Sequence, residues 1–261
     1  MAPQRTASRW LKFYSDGYDL SGYAKSIGPL KFDFTAGAPD AAFSDAVEGA
    51  FPGRASVGVG TLVSVLDNDT AGAYARHAAA GSLHSLMIPV GMGADPVMGV
   101  PVYLGQFEQD GFELVNGDGF TSISAPFSNA GPEVGLGYNK PWGVLLHPKG
   151  AETAANTANT NVDNGAATAA GGYLMYQIFA VAGTGTATIS IDDSANGTVW
   201  AALAGATSGA IAHTAMPTAG IIQLSGTATV RQYLRWQLAL TGITSVTFAL
   251  AFVRAALHNA R

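Results

Sequence analysis

The stretch from Asp192 to Leu203 has, over its first half, the residue spacing of a calcium-binding loop. Asp192, Ser194 and Asn196 occupy the first, third and fifth positions of such a loop, and Gly197 occupies the sixth. Calcium also requires a bidentate carboxylate at the twelfth position, where this chain has Leu203. Because Asn-Gly is a strong signal for a tight turn between paired strands, we interpret the stretch as a hairpin.

Two histidines, His77 and His84, are candidate metal ligands seven residues apart. A third ligand would have to come from Asp67 or Asp69, which lie just before a predicted helix. Two isolated histidines are more often surface or core residues, so we assign no metal. No arrangement of nucleophile, base and acid stands out either, and we expect a protein that is not an enzyme and needs no cofactor.

Acidic and aromatic residues that occur together could bind a carbohydrate. One such set lies near the N-terminus and comprises Asp16, Asp19 and Asp33 with Tyr14, Tyr18 and Phe34. Another lies near the C-terminus and comprises Trp200, Tyr233 and Trp236. We interpret the first set as solvated strand faces and the second mainly as core, so a carbohydrate-binding module remains an alternative.

The composition favours an all-β fold. Charged residues make up 12% of the 261 residues, about half the usual share, whereas glycine is abundant at 33 residues. Nearly half of the chain is apolar, which is not typical of disorder. The chain contains no cysteine, and this excludes disulfides and thiolate metal sites.

Charge divides the chain into two parts. Residues 1–147 contain 14 acidic and 8 basic residues, and residues 148–261 contain 4 acidic and 5 basic residues. The net charges are therefore −6 and +1. We predict two domains, 1–147 and 148–261, joined by a polar linker over 148–161. No cluster of lysine and arginine occurs, which argues against affinity for nucleic acid.

The first part combines strands with one helix. Val57, Val59, Val63 and Val65 alternate with small residues, which predicts one continuous strand. An alanine-rich segment predicts a helix over about residues 70–80. Residues 35–53 are predicted to be a long loop between two strands, and a loop of that length is usually functional or mobile.

The second part shows only strand patterns. Large apolar residues alternate with polar ones in three segments: Ala187, Ile189 and Ile191; Leu234, Trp236, Leu238 and Leu240; and Val246, Phe248, Leu250 and Phe252. Several short strands separated by turns predict a sandwich of the Ig-like or jelly-roll-like kind.

Five segments resemble the tail tube (major tail) proteins of long-tailed bacteriophages. In the first part the resemblance lies in YDLSGYAKSI at residues 18–27, followed by the long loop, the valine-rich strand and the helix. At the junction it lies in GVLLHPKGAET, followed by VDNGAATAAGGYLMYQIFAV. Further on, ISIDDSANGTVWAAL and VRQYLRWQLALTGITSVTFALAFVR are similar to the extra C-terminal module that some of these tail proteins carry.

The resemblance implies an architecture and a role. The first part would be a tail-tube β-sandwich or barrel with one flanking helix, and the second an Ig-like or jelly-roll-like sandwich that decorates the tube. Subunits would form stacked hexameric rings, contact other tail proteins, and line a channel through which DNA passes without specific binding. The protein would be made in the host cytoplasm and end in the virion, without a membrane partner.

Within that picture, residues 35–53 would be the loop that contacts the neighbouring ring, through Phe43, Val47 and Phe51. The acidic residues of the first part would line the channel and repel the phosphates of DNA. Another virion protein, such as a capsid decoration or baseplate subunit, remains the main alternative because such proteins share β-rich sequences with low charge.

Overall fold

The computed structural model describes residues 8–40, 49–78, 81–117, 119, 121–129, 141–156 and 160–255, and most of them lie in strands. The all-β prediction is confirmed. Seventeen strands occur in the described residues: β1 Tyr14–Ser15, β2 Tyr18–Asp19, β3 Ala24–Ile27, β4 Leu30–Asp40, β5 Gly49–Val59, β6 Thr61–Val65, β7 Leu83–Pro89, β8 Pro101–Gln109, β9 Glu113–Asn116, β10 Thr121–Asn129, β11 Trp142–Glu152, β12 Val162–Asp163, β13 Gly172–Ser194, β14 Ala201–Thr207, β15 Ile211–Ala212, β16 Thr218–Gln223 and β17 Tyr233–Arg254.

The described residues contain one α-helix, α1, which is shorter than predicted and spans Ala73–His77. Residues Asp67 to Thr70 form an irregular segment, whose Asp67 and Asp69 side chains accept backbone hydrogen bonds before the helix begins. Two short 3-10 turns, Ser8–Trp10 and His213–Ala215, complete the helical structure of the described chain.

All strand pairs are antiparallel, and the main sheet runs in the order β14-β13-β17-β11-β8-β10-β6-β3. Further strands pair at its sides: β7 with β8, β9 with β10, β12 with β17, and both β15 and β16 with β13. Strands β4 and β5 form a separate two-stranded sheet, here called the ribbon. The sheet is therefore continuous from the N-terminal to the C-terminal part of the chain.

Three groups of buried side chains hold these strands together. One lies wholly in the N-terminal part and includes Phe13, Leu62, Tyr103 and Phe107. A second lies almost wholly in the C-terminal part and includes Ile189, Ile191, Trp236, Leu238 and Phe248. The third draws on both, and packs Tyr14, Met87 and Leu104 against Tyr173, Met175, Ala251 and Val253. This third group, here called the shared layer, joins the two parts.

The predicted linker over 148–161 begins instead as regular strand. Residues 148–152 complete β11, where Gly150, Ala151 and Glu152 pair with Phe248, Thr247 and Val246 of β17. The register shifts between His147 and Gly150, around Pro148, which has no N–H to donate to a sheet. Because β11 pairs with β8 on its other side, the main sheet does not break at residue 147.

The single strand predicted around Val57 to Val65 is wrong, because the chain turns at Gly60. Strand β5 ends at Val59 and pairs with β4, whereas β6 begins at Thr61 and pairs with β3 and β10. A Cβ at Gly60 would lie 2.8 Å from Pro29 and 2.9 Å from Gly28, so the turn needs glycine. The turn also shifts the alternation: Leu62 and Ser64 are buried in β6, while Val65 is exposed.

The predicted loop over residues 35–53 is also partly wrong. Residues 35–40 and 49–53 continue β4 and β5, with Ala36 opposite Pro52 and Asp40 opposite Gly49. Residues 41–48 lie outside the described residues. The sequence hides these strands because proline and glycine interrupt any apolar alternation, while backbone pairing between the two strands persists across register shifts.

In the C-terminal part, the predicted buried faces are confirmed but the expected short strands are not. Ala187, Ile189 and Ile191 are completely buried, as are Val246, Phe248, Leu250 and Phe252. However, β13 has 23 residues and β17 has 22, because segments that glycines separate in sequence join across bulges. A Cβ at Gly185, whose φ is +144°, would lie 1.9 Å from the Thr241 carbonyl oxygen.

Candidate functional site

A buried tyrosine anchors the base of the ribbon to the main sheet. The Tyr103 hydroxyl lies 2.7 Å from the carbonyl oxygen of Lys31 and 2.9 Å from that of Gly58, so it contacts both ribbon strands. Val57 and Val59 are buried beside it in the N-terminal core. Tyr103 itself is completely buried, and this fixes where the ribbon leaves the sheet.

Beyond this base, the ribbon extends as a two-stranded element. Each of its strands has 11 residues, which corresponds to a length of about 35 Å. Within the described chain, β4 and β5 pair only with each other. Of the three contact residues that the sequence indicated, Phe51 lies on β5, whereas Phe43 and Val47 lie outside the described residues. Their role in contacts between rings stays a prediction.

A sharp turn at Asp16 connects the N-terminal part to the shared layer. Asp16 has a φ of +52°, and its carboxylate accepts hydrogen bonds from the Ser85 amide at 2.8 Å and from His84 Nδ1 at 2.6 Å. Burial alone would raise the pKa of Asp16, but the hydrogen bonds from His84 and Ser85 outweigh it and hold that pKa below its ordinary value. The carboxylate thus holds a strained turn in place.

Gln177 of β13 completes this connection from the C-terminal part. Its side-chain oxygen accepts a hydrogen bond from the Gly17 amide at 2.6 Å, and its nitrogen donates to the Ser85 carbonyl at 2.7 Å. Gln177 is completely buried. A Cβ at Gly17 would lie 2.5 Å from the Thr218 nitrogen, so the turn packs directly on β16. In the sequence, the buried role of Gln177 is indicated by its being a lone polar residue within the apolar run YLMYQIFAV.

The two candidate metal ligands, His77 and His84, do come together, with ring centroids 4.8 Å apart. The proposed third ligands do not join them: Asp69 accepts a hydrogen bond from the Tyr23 hydroxyl, and Asp67 accepts one from the Asp69 amide. Asp16 contacts His84 instead. The part of the chain that the structure describes contains no group of three or more metal-ligating side chains of the His, Cys, Asp and Glu types.

His147 lies where the domain boundary was predicted, and it is buried. Its Nδ1 is 3.1 Å from the Phe248 carbonyl oxygen, its Nε2 is 3.0 Å from a Glu152 carboxylate oxygen, and its ring stacks on Phe248. Burial lowers the pKa of His147 and outweighs its hydrogen bonds to the Glu152 carboxylate and the Phe248 carbonyl, which raise that pKa. The geometry is that of a structural histidine tying β11 to β17.

The two tryptophans of the C-terminal set considered for carbohydrate binding lie in different surroundings. Trp236 is buried in the C-terminal core, as the sequence indicated. Trp200 is half-buried, and the Arg235 guanidinium stacks 4.5 Å from its ring centroid. Arg235 also donates to the Asp192 carboxylate at 2.9 Å, and Gln237 donates to the same oxygen at 3.0 Å. These residues form a polar surface with one aromatic ring, here called the outer patch.

The members of the N-terminal acidic and aromatic set whose side chains the structure describes do not form a patch. Asp16 is engaged by His84 and Ser85, and Asp19 forms an ion pair with Lys149 at 2.7 Å. Tyr14 is buried and packs edge-to-face on Phe179. The Asp33 and Phe34 side chains lie outside what the structure describes.

The predicted hairpin at Asp192 to Leu203 is confirmed, since Asp193 of β13 pairs with Ala201 of β14. Its side-chain oxygens serve the turn: Asn196 Oδ1 accepts from the Thr198 and Val199 amides, each at 3.0 Å. Asp192 faces Arg235 rather than the turn. Leu203 is buried.

Comparison with known proteins gives little similarity. No protein-family model matches the chain, and no curated protein matches it. Among solved structures, the chain is similar to the SPP1 Dit (gp 19.1) protein, described as a paradigm of the hub adsorption apparatus in Gram-positive infecting phages. Identity is 15% and the TM-score is 0.29, over 95% of this chain and 99% of that one.

A second solved structure, that of infectious bursal disease virus Gx strain, is 12% identical with a TM-score of 0.14, over 95% of this chain and 60% of that one. TM-scores this low carry no argument about fold or function. Within the described ranges, no helix has the length and apolar content that crossing a membrane requires.

Proposed function

We propose that the chain is a structural subunit of the tail of a long-tailed phage. In this proposal, subunits form hexameric rings that stack into the tail tube and contact other tail proteins, and DNA is delivered through the channel. The protein is made in the host cytoplasm and ends in the virion. The proposal joins the resemblance of five sequence segments to one structural observation, the ribbon.

The ribbon is the observation on which the proposal rests, because its two strands extend beyond the base that is anchored to the main sheet. A two-stranded hairpin in water is marginally stable at best, and three or more strands or a packing surface are needed to stabilise it. Residues 35–40 and 49–54 pair with no other strand of the described chain. A partner surface would therefore stabilise the ribbon, and in the proposed tube the adjacent ring supplies that surface, contacted by Phe43, Val47 and Phe51.

The two parts of the chain would have different surroundings in the tube. The N-terminal part, with a net charge of −6, would line the channel so that DNA passes without being held. The C-terminal part would lie on the exterior. Its outer patch of Trp200, Arg235, Asp192 and Gln237 would then serve host-surface or glycan adhesion, since aromatic rings with adjacent hydrogen-bonding groups suit sugars.

Electron microscopy of the purified protein tests the proposal. We expect rings or tubes from the natural chain. In a shortened variant, Asn-Gly replaces residues 36–53, so that Thr35 and Arg54 flank a two-residue turn above the anchored base. This variant should keep the circular dichroism of the natural protein but form no tubes. Phe51→Ser should weaken tube formation, whereas Val199→Ser, at an exposed apolar residue of the outer hairpin, should not.

Three other results of these experiments would contradict all or part of the proposal. Normal tubes from the shortened variant would contradict the role of the ribbon. If the natural chain formed neither rings nor tubes, the tube proposal would be wrong. Trimers that bind capsids would favour a decoration protein instead.

A further inference from the structure

Helix α1 is attached to the N-terminal part of the sheet by few buried side chains. Of its five residues, only Ala73 and His77 are buried, and Gly72, which precedes the helix, has no side chain to cap it. A helix this short is not stable by itself in water and depends on packing for its stability. The attachment of α1 therefore depends largely on the surroundings of His77.

Gln109 of β8 holds the end of the helix. Its side-chain nitrogen donates to the carbonyl oxygens of His77 and Gly111, at 2.7 Å and 3.0 Å, and its side-chain oxygen lies 3.2 Å from His77 Nδ1. That oxygen can only accept, so the proton of the neutral His77 ring is on Nδ1. The ring also packs edge-to-face on Phe13 and Phe127, with ring centroids 6.4 Å and 5.3 Å away.

A second buried histidine, His84 of β7, lies directly against His77, with ring centroids 4.8 Å apart. Its Nδ1 donates to the Asp16 carboxylate at 2.6 Å, because an ionised carboxylate only accepts. The Nε2 atoms of both histidines are buried and have no hydrogen-bond partner among the described residues. A proton taken up by His77 would therefore go to Nε2, where no acceptor is in place.

The charged and titratable groups that face His77 come from α1 itself, from β7 and from the turn between β1 and β2. His84 and Arg76 oppose a positive charge on the ring, whereas Asp16 favours one. The Asp16 carboxylate is already engaged by His84 and by the Ser85 amide. Burial has the largest effect and, together with the charge of His84, lowers the pKa of His77 to about 4. An imidazolium is thus disfavoured as long as α1 stays packed.

We propose that His77 makes the packing of α1 sensitive to acid, so that the helix is attached at neutral pH and detaches locally when His77 takes up a proton. Water hydrates the imidazolium in the detached form, whereas the packed site offers its Nε2–H no acceptor. Detachment also uncovers aromatic surface of Phe13 and Phe127. Elements of one protein open with different free energies, and this inference, which is independent of the proposed assembly, makes α1 the first to open in mild acid.

Thiol labelling tests the inference, because the chain contains no cysteine of its own. Ala73→Cys places a thiol at a completely buried position of α1, and the control Ala125→Cys places one in the same core on β10. Each protein is treated at pH 7 and at pH 5 with a dipyridyl disulfide, which reacts with thiols at both pH values. Each rate is divided by that of a free cysteine peptide.

We expect the corrected rate for Ala73→Cys to rise roughly 20-fold from pH 7 to pH 5. The reason is that the detached helix takes up a proton with an ordinary pKa of about 6.5, whereas in the packed helix the pKa of His77 is about 4. Unfolding of the whole N-terminal part also exposes His77, so the two thiols are distinguished by absolute rate and by urea. At pH 5, Ala73→Cys should react roughly tenfold faster than Ala125→Cys or more, because local opening costs less than unfolding. Its rate should depend little on low urea, whereas that of Ala125→Cys should rise with urea.

Two further measurements assign the effect to His77 and to α1. His77→Gln, added to the Ala73→Cys protein, should abolish the rise in acid. Hydrogen exchange of the natural chain needs no substitution: the Arg76 and Ala78 amides, which donate to Gly72 and Tyr74 within this segment, should lose protection from pH 7 to pH 5. Amides that pair β7 with β8 should keep much higher protection at both pH values.

Three results would overturn the inference. Equal rates for Ala73→Cys and Ala125→Cys at pH 5 would mean that α1 opens only when the whole N-terminal part unfolds. A rise in acid that persists in a folded His77→Gln variant would assign the response to another group. Unchanged protection of the Arg76 and Ala78 amides would show that the helix stays attached. Formation of rings or tubes has no bearing on these results and tests the proposed function alone.

Discussion

His77 is completely buried, yet only one of its ring nitrogens has a hydrogen-bond partner in the structure. The Gln109 side-chain nitrogen donates to the carbonyl oxygens of His77 and Gly111. The Gln109 side-chain oxygen therefore accepts a hydrogen bond from His77 Nδ1–H at 3.2 Å. This assigns the proton to Nδ1 and leaves Nε2 as a buried lone pair. The His77 ring packs edge-to-face on Phe127. Burial, reinforced by the charge of His84, lowers the pKa of His77 to about 4.

We expect this histidine to make stability depend on pH. Above pH ~6.5 His77 is neutral in both states, so it adds no pH dependence. Between about 6.5 and about 4 the unfolded chain takes up a proton that the folded chain does not, so the free energy of unfolding falls as pH falls. From pH 6.5 to 5 the natural protein should lose about 1.6 kcal/mol more than His77→Gln.

Urea unfolding of both proteins at several pH values measures this difference. His147, whose pKa burial also lowers, titrates in both proteins and so cancels in the comparison. Parallel stability curves for the two proteins would contradict the assignment of the effect to His77.

At the scale of elements, β13 and β17 bend where glycines allow their backbones to approach. Gly183, Gly185 and Gly242 all have positive φ and lie at the register shifts between the two strands. At Gly185 the space for a side chain is occupied by the Thr241 carbonyl oxygen. Side chains on both sides of these glycines, such as Ile178 and Ile189, lie in the same C-terminal core.

Gly185→Ala should therefore destabilise the protein by about 3 kcal/mol, since a methyl group would meet backbone in an already unfavourable conformation. Gly209→Ala is the matched control: its φ is +64°, but a Cβ there meets nothing within 4 Å. We expect the control to cost only about 1 kcal/mol. Chemical denaturation of both variants gives the comparison, and equal losses would contradict a steric role for Gly185.

The elements show why some strands could be predicted from the sequence and others could not. The alternation of apolar and polar residues correctly predicted that Ile189, Ile191 and Phe248 are buried, because these side chains all lie in one core. The same reasoning failed at Gly60, where one glycine moves the chain into another sheet and reverses which residues are buried. The outer part of the ribbon, residues 35–40 and 49–53, was missed because proline and glycine interrupt any apolar alternation there.

The site was harder to predict than the fold because its polar residues act across long sequence separations. Gln177 contacts Gly17, 160 residues away, and Lys149 contacts Asp19, 130 residues away. Sequence proximity linked Asp16 to neighbouring tyrosines, whereas the structure pairs it with His84. Spacing along the chain cannot show which polar residues a sheet brings together.

At the scale of the molecule, Gln177 and the shared layer couple the N-terminal and C-terminal parts of the chain, which differ in net charge. Tyr173 and Met175 of β13 pack with Leu104 and Met87 of the N-terminal part. Gln177, which lies on the same strand β13, forms hydrogen bonds with Gly17 in the turn at Asp16 and with Ser85. The continuous sheet adds backbone pairing through β11. We therefore expect the described parts to unfold together.

Gln177→Leu tests this coupling. The substitution leaves the Gly17 amide without its buried acceptor and removes one of the two donors to the Ser85 carbonyl, which keeps the Asp16 amide. It should lower the free energy of unfolding by about 3 kcal/mol. Hydrogen exchange should accelerate in the slowest amides of both parts. Gln223→Leu, at an exposed position on neighbouring β16, should change stability little. Faster exchange confined to one part would contradict a single cooperative unit.

The length of β13 and β17 also has a mechanical consequence. The two strands are paired from Gly172 opposite Arg254 to Ser194 opposite Tyr233, and β17 pairs with β11 on its other side. A displacement of the C-terminal part along the strand direction would load the hydrogen bonds between β11 and β17 in shear, so these bonds would resist together instead of opening one after another. The two parts are thus expected to resist such a displacement as one unit.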